Sequence, residues 1–189
     1  LAGLLIFLLR DHGAAIDPQA VLAALGRVSP AGWTMALCFT GLSFAAVGRY
    51  DRIVHRWLGT GIGARPAGRA GIAAIAIGQT VGAGVVTGAF VRWRMLPDLT
   101  LLQATRLSLA VASLFLAAWG FWLAVAVALF GAGPLAPFRL PALAAAGLFV
   151  ALLLVTPRLT WRAMIPPAGV ALRLVALAAV DTTAAAAAL

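Results

Sequence analysis

A chain of 189 residues that is 63% hydrophobic and 10% charged, with a mean hydropathy of +1.05, is excluded from the soluble globular class, where about 25% of residues are charged. It reads as an integral membrane protein. Its net charge of +9, from 14 arginines against five aspartates, does not indicate a nucleic-acid partner, because the arginines stand between apolar runs where cytoplasmic loops and anionic headgroups account for them.

Leu1 to Leu9 is expected to be the end of a membrane helix, too short by itself for a ~30 Å hydrocarbon core. Both termini fall in apolar runs, so a longer parent chain is expected. Asp17 and Pro18 start a short amphipathic stretch, with Val21, Leu22, Leu25 and Val28 on one side, that lies along the membrane or serves as a connector. Ser29 and Pro30 are a start signal for the next span. Apolar runs place spans at about 31–50, 107–130, 140–156 and 170–189, the last carrying Asp181. Trp33, Trp57, Trp93 and Trp161 stand near span ends as interfacial anchors, whereas Trp119 and Trp122 read as packing residues. Cys38, the lone cysteine, is expected to be a buried, inert thiol, and His12 and His55 to be solvated or interfacial.

The stretch from Gly71 to Arg94 is different. Five glycines and the polar Gln79, Thr80 and Thr87 interrupt an otherwise apolar run, which makes it weak as a helix. It is either a span packed closely through small residues or a broken, re-entrant segment facing a protein-lined cavity. Arginine placement favours the second. A re-entrant 71–91 puts 11 arginines on one side and 3 on the other, while a spanning one divides them 8 and 6, and only the first partition obeys the positive-inside rule. The expected fold is therefore all-α, a polytopic transmembrane helical bundle forming one domain, with a broken glycine-rich segment.

Ionisable groups at membrane depth are costly and mark pathways, which singles out Asp51, Arg92, Arg94 and Asp181. Arg49, Arg52 and Arg56 share a helix face from which Asp51 points away. An arginine fork suits a lipid phosphate, and a carboxylate suits the ammonium of an aminoacyl headgroup or pairs with Arg92 while the site is empty. The segment GIGAR at 61–65 lacks the lysine and hydroxyl of a phosphate-binding loop. No set of nucleophile, base and orienter is evident, so acyl or phosphoryl transfer by these residues is disfavoured and no cofactor or metal is expected.

The span ending in Leu42, Ser43, then Tyr50 and Asp51, followed by a glycine-rich stretch ending in Thr87, Gly88, Ala89, Phe90, Val91, Arg92, Trp93 and Arg94, resembles the membrane region of the bacterial multiple peptide resistance factor (MprF) family, the lysyl-phosphatidylglycerol synthase/flippases. The resemblance extends over most of the chain and includes the late acidic residue Asp181. Trp93 departs from it, since a tyrosine is expected between the two arginines. The resemblance implies an inner-membrane flippase region that moves aminoacylated phosphatidylglycerol and thereby supports resistance to cationic antimicrobial peptides, with Tyr50 joining the four charged residues at the headgroup site. It implies an anionic or aminoacylated phospholipid as partner. Nothing in the chain resembles the family's soluble transferase domain. An ion-coupled solute transporter and a membrane scaffold that regulates a missing lysyltransferase, as a homo-oligomer or otherwise, are the rival expectations.

Overall fold

The computed structural model describes residues 17–155 and 166–187, so the expected span at 1–9 and the residues Arg10, Asp11, His12, Arg158, Trp161 and Arg162 lie outside the described residues. Every regular element among the described residues is helical. Helix α1, Pro18–Arg27, begins where the Asp17 side chain accepts from the Gln19 amide at 2.9 Å, an ordinary N-cap. Its apolar side, Val21, Leu22, Leu25 and Val28, is exposed.

Helix α2, Pro30–Trp57, is capped by Ser29, whose hydroxyl accepts from the Gly32 amide at 3.1 Å. It runs well past the boundary expected at residue 50. The charges do not end it, because Arg49, Arg52 and Arg56 lie on its exposed face while Asp51, Val54 and His55 turn inward. Cys38 is exposed on its surface, contrary to the buried thiol expected, and belongs to the face that a bilayer covers.

The glycine-rich segment is two helices, α3 (Ala64–Val81) and α4 (Gly84–Met95), that pack on each other. Between them Gly82 has φ +85° and Ala83 has φ +49°, and glycine alone adopts the first of these without cost. A Cβ on Gly78 would lie 3.4 Å from the Gly84 backbone, and one on Gly88 would lie 3.8 Å from the Ala74 methyl. Pairing 78 with 84 and 74 with 88 fixes the helices as antiparallel, so the segment turns back on itself. Its two threonine hydroxyls are satisfied locally. Thr80 donates to the Ala76 carbonyl at 2.9 Å and Thr87 to the Gly82 carbonyl at 2.8 Å.

Helix α5, Leu101–Phe130, opens with a capping box in which Thr100 and Gln103 satisfy each other's backbone amides. A 3₁₀ turn, Gly133–Phe138, leads into α6, Arg139–Val155, and Arg139 donates to the Ala128 carbonyl at 3.1 Å to hold α6 beside the end of α5. Helix α7 is Ala168–Ala187.

Helices α2, α5 and α7 and the α3/α4 hairpin surround a common interior, and α6 packs outside against α5. Much of what is buried is small, including Ala46, Gly48, Ala67, Gly68, Ala70, Gly71, Ala74 and Ala178. Lipid tails are as apolar as leucine, so close backbone approach through small residues holds such helices together. Many large apolar side chains point outward instead, with Leu37, Leu116, Leu140, Leu148, Leu154 and Leu172 all exposed. Among the described residues four helices are long and apolar enough to cross a membrane, α2, α5, α6 with its leading 3₁₀ turn, and α7. The protein is a multi-pass membrane protein.

The hairpin also sorts the arginines. Arg49, Arg52 and Arg56 end α2, Arg65 and Arg69 begin α3, Arg92 and Arg94 end α4, and Arg106 begins α5, all at one end of the bundle. Arg173 of α7 joins them, since it lines a small cavity with Arg49 and Arg52. Arg27 and Arg139 are at the other end.

Cysteines placed in a Cys38→Ser background test this topology. Gly63→Cys and Asp98→Cys, flanking the hairpin, are expected to react with an impermeant thiol reagent from the same side of sealed vesicles, and Leu135→Cys from the opposite side. Labelling of positions 63 and 98 from opposite sides would show that the segment crosses the membrane.

Candidate functional site

A cavity of about 620 Å³ lies within the ring of helices. Its floor is buried and faces the arginine-rich end, where Tyr50, Asp51, Arg92 and Ser108 line it. Its rim includes Thr40, Gln79, Gly84 and Leu116, all exposed. The cavity therefore opens away from the arginine-rich end. Length explains the opening. The hairpin arms of 18 and 12 residues rise ~27 and ~18 Å, while the flanking helices of 28 and 30 residues reach over 40 Å at ~1.5 Å per residue.

The floor is built on one ion pair. Arg92 of α4 donates from Nε to Asp51 Oδ1 at 3.1 Å and from Nη2 to Oδ2 at 2.8 Å. Its Nη1 donates to Ser108 Oγ of α5 at 3.0 Å and to the Gly88 carbonyl at 3.4 Å. Asp51 is 0% exposed and Arg92 3%. A planar guanidinium meeting a carboxylate through two parallel bonds is the strongest geometry open to a buried pair.

The glycines of the hairpin make room for it. A Cβ on Gly71 would collide with the Asp51 carboxylate, and one on Gly88 would come within 3.1 Å of Arg92 Nη1. Close approach of backbone to charge is thus the role of two glycines that sequence alone left as packing or breaking residues.

Asp181 of α7 also lines the cavity and accepts a hydrogen bond from Ser43 of α2. The two acids are consequently in different states of engagement, one held by an arginine and the other by a single hydroxyl. Tyr50 packs edge-to-face on Phe115, with ring centroids 5.9 Å apart, and its buried hydroxyl has no hydrogen-bond partner among the described residues. Four of the five expected site residues, Tyr50, Asp51, Arg92 and Asp181, thus meet in one cavity. Arg94 does not. It is exposed at the end of α4, two positions beyond Arg92 and hence on another face of the helix.

His55 corrects an expectation. It is 2% exposed, inside α2 rather than in a solvated connector, with Nδ1 2.7 Å from Thr60 Oγ1 and Nε2 3.9 Å from Asp51 Oδ1. Its position four residues after Asp51 puts it on the same helix face, a periodicity obscured by the three arginines of the exposed face. Ser108 carried no signal either, since Ser113 resembles it in sequence and only the fold separates them. Of the tryptophans expected to pack, Trp122 does, donating from Nε1 to the Val175 carbonyl at 2.8 Å. Trp119 is 43% exposed and faces outward.

The arrangement can bind charge. A guanidinium, two carboxylates and an unpartnered phenol converge in a space large enough for a small polar group, with apolar side chains at its mouth. Comparison with protein-family models, curated proteins and solved structures finds no match.

Removing one partner of a buried pair leaves the other charge stranded, which costs about 3–5 kcal/mol. Asp51→Ala is expected to lower unfolding stability in mild detergent by about that much, and Arg92→Met added to it to restore most of the loss. Gly71→Ala is expected to destabilise as well, although it alters neither charge, because its methyl displaces the carboxylate.

Proposed function

We propose that this chain handles phospholipid headgroups, as a flippase-like region that moves phosphatidylglycerol or its aminoacyl derivative across the bacterial inner membrane. The observation that carries this reading is the buried pair of Asp51 and Arg92 on the floor of a membrane-depth cavity, with Asp181 and the Tyr50 hydroxyl on the same lining. A phosphodiester would take the Arg92 fork and the Tyr50 donor. The ammonium of an aminoacyl group would take a carboxylate, and Asp181, held only by Ser43, is the more available.

The rim supports a lipid over a soluble solute. Leu116 of α5 stands on the rim, Val81 and Val86 flank the hairpin turn next to the rim residue Gly84, and all three are exposed, so acyl tails could rest outside while the headgroup enters. The concentration of arginines at the opposite end supports a cytoplasmic orientation for that end. On this reading the cavity faces outward, and the apolar cluster of Tyr50, Val54, Leu96, Leu99 and Leu107 beneath the pair closes the cytoplasmic side.

Reconstitution tests the proposal. In vesicles holding acyl-labelled fluorescent phosphatidylglycerol, the native chain is expected to speed the exchange of probe between leaflets. Arg92→Gln and Asp51→Asn are each expected to slow it at least tenfold. Unchanged exchange in folded variants would overturn the headgroup assignment. Uptake of a soluble substrate without lipid exchange would support an ion-coupled solute transporter instead.

A further inference from the structure

Nε2 of His55 is a buried nitrogen with no hydrogen-bond partner among the described residues, and it lies 3.9 Å from the carboxylate that holds Arg92. The other ring nitrogen, Nδ1, is 2.7 Å from Thr60 Oγ1, a hydroxyl that is also 3.5 Å from the His55 carbonyl and accepts from the Ile62 amide at 3.4 Å. Because a hydroxyl both donates and accepts, Thr60 serves either neutral tautomer, and each leaves one ring nitrogen with a lone pair. The neutral ring beside Asp51 thus holds one vacant proton site.

Vacancy here bears on Arg92. Each nitrogen of its guanidinium is engaged, two by Asp51 and one by Ser108 and the Gly88 carbonyl. An incoming phosphate can take the fork only if Asp51 releases it. Asp51, 0% exposed, would then be a buried carboxylate without a cation, which is strongly unfavourable. Among the described residues a protonated His55, 3.9 Å away on the next turn of the same helix, is the one cation placed to replace Arg92. The charged groups that face His55 are Asp51 from its own helix and Arg92 from α4. The neighbouring Thr60 lies in the connection to α3 at the arginine-rich end, a short route to that surface.

We propose that His55 takes up a proton from the arginine-rich side as an anionic headgroup takes Arg92, so that Asp51 passes from one cation to the other and proton uptake is coupled to lipid binding. This rests on the headgroup reading above. The charges balance without a covalent step. Before binding, Asp51 and Arg92 neutralise each other and His55 is neutral. Afterwards His55 with its proton pairs with Asp51, and Arg92 pairs with the phosphate. Linkage makes the effect reciprocal, so acid strengthens headgroup binding and binding draws in a proton. A proton entering from one side in this way would give lipid movement a direction.

The experiment measures binding of dihexanoylphosphatidylglycerol to the protein in phosphatidylcholine nanodiscs by calorimetry between pH 5.5 and 8.5. Affinity is expected to weaken by up to about tenfold per pH unit above the titration of His55. Native protein in two buffers of different ionisation enthalpy is expected to show up to one proton taken up per lipid bound, a readout that needs no variant. His55→Gln is expected to bind at every pH about as weakly as the native protein does at pH 8.5, with neither the pH slope nor the buffer dependence, whereas Asp98→Asn, at an exposed loop position outside the cavity, keeps both. Saturable native binding with no pH slope and no proton uptake would overturn the coupling and leave the headgroup site standing. An unchanged slope in His55→Gln would also overturn it. Absence of saturable binding at every pH would remove the headgroup site and the coupling together.

Discussion

The ion pair of Asp51 and Arg92 is the constraint around which the bundle is built. Two full charges with almost no exposure, inside a protein whose outer surface is apolar, are stable only while each satisfies the other and both are hydrogen-bonded further. Three separate elements cooperate in this. Helix α2 supplies the acid, α4 the base and α5 the serine that takes the remaining guanidinium nitrogen. The turn at Gly82 and Ala83 is what lets α4 return its arginine to the level of Asp51.

From that requirement the composition of the hairpin follows. Side chains at positions 71 and 88 would occupy the space of the carboxylate and the guanidinium, so both are glycine. The hairpin stops short of its neighbours, and this shortness leaves the cavity open at the end away from the arginines. Function, as proposed, uses the same feature twice. The pair closes the floor when the site is empty, and its arginine is the anion receptor when a headgroup arrives.

Much of this was legible in the sequence, and the reasons are physical. Hydropathy identifies the bilayer class because lipid-facing surfaces demand apolar residues. Arginine placement anticipated the hairpin, since the positive-inside rule responds to topology directly. Asp51 and Arg92 were nameable because charge within apolar runs is rare. What was hidden depended on three-dimensional register. The inward position of His55 escaped notice because three exposed arginines on the same helix mask a face bearing Asp51, Val54 and His55. Ser108 could not be distinguished from Ser113 without the helix that faces it. Arg94 seemed equivalent to Arg92, yet two positions along a helix turn a side chain to another face. Small residues buried at helix contacts likewise look in sequence like any alanine-rich run.

The central claim is that the floor of the cavity is a headgroup site and not merely a structural lock. The most direct measurement is mass spectrometry of lipid retained on the purified protein after extraction in mild detergent, comparing the native chain with Arg92→Gln. The account predicts phosphatidylglycerol or its aminoacyl derivative enriched over its share of the membrane in the native protein, with the enrichment lost in the variant. The same lipid profile in both, equal to that of the bulk membrane, would contradict it.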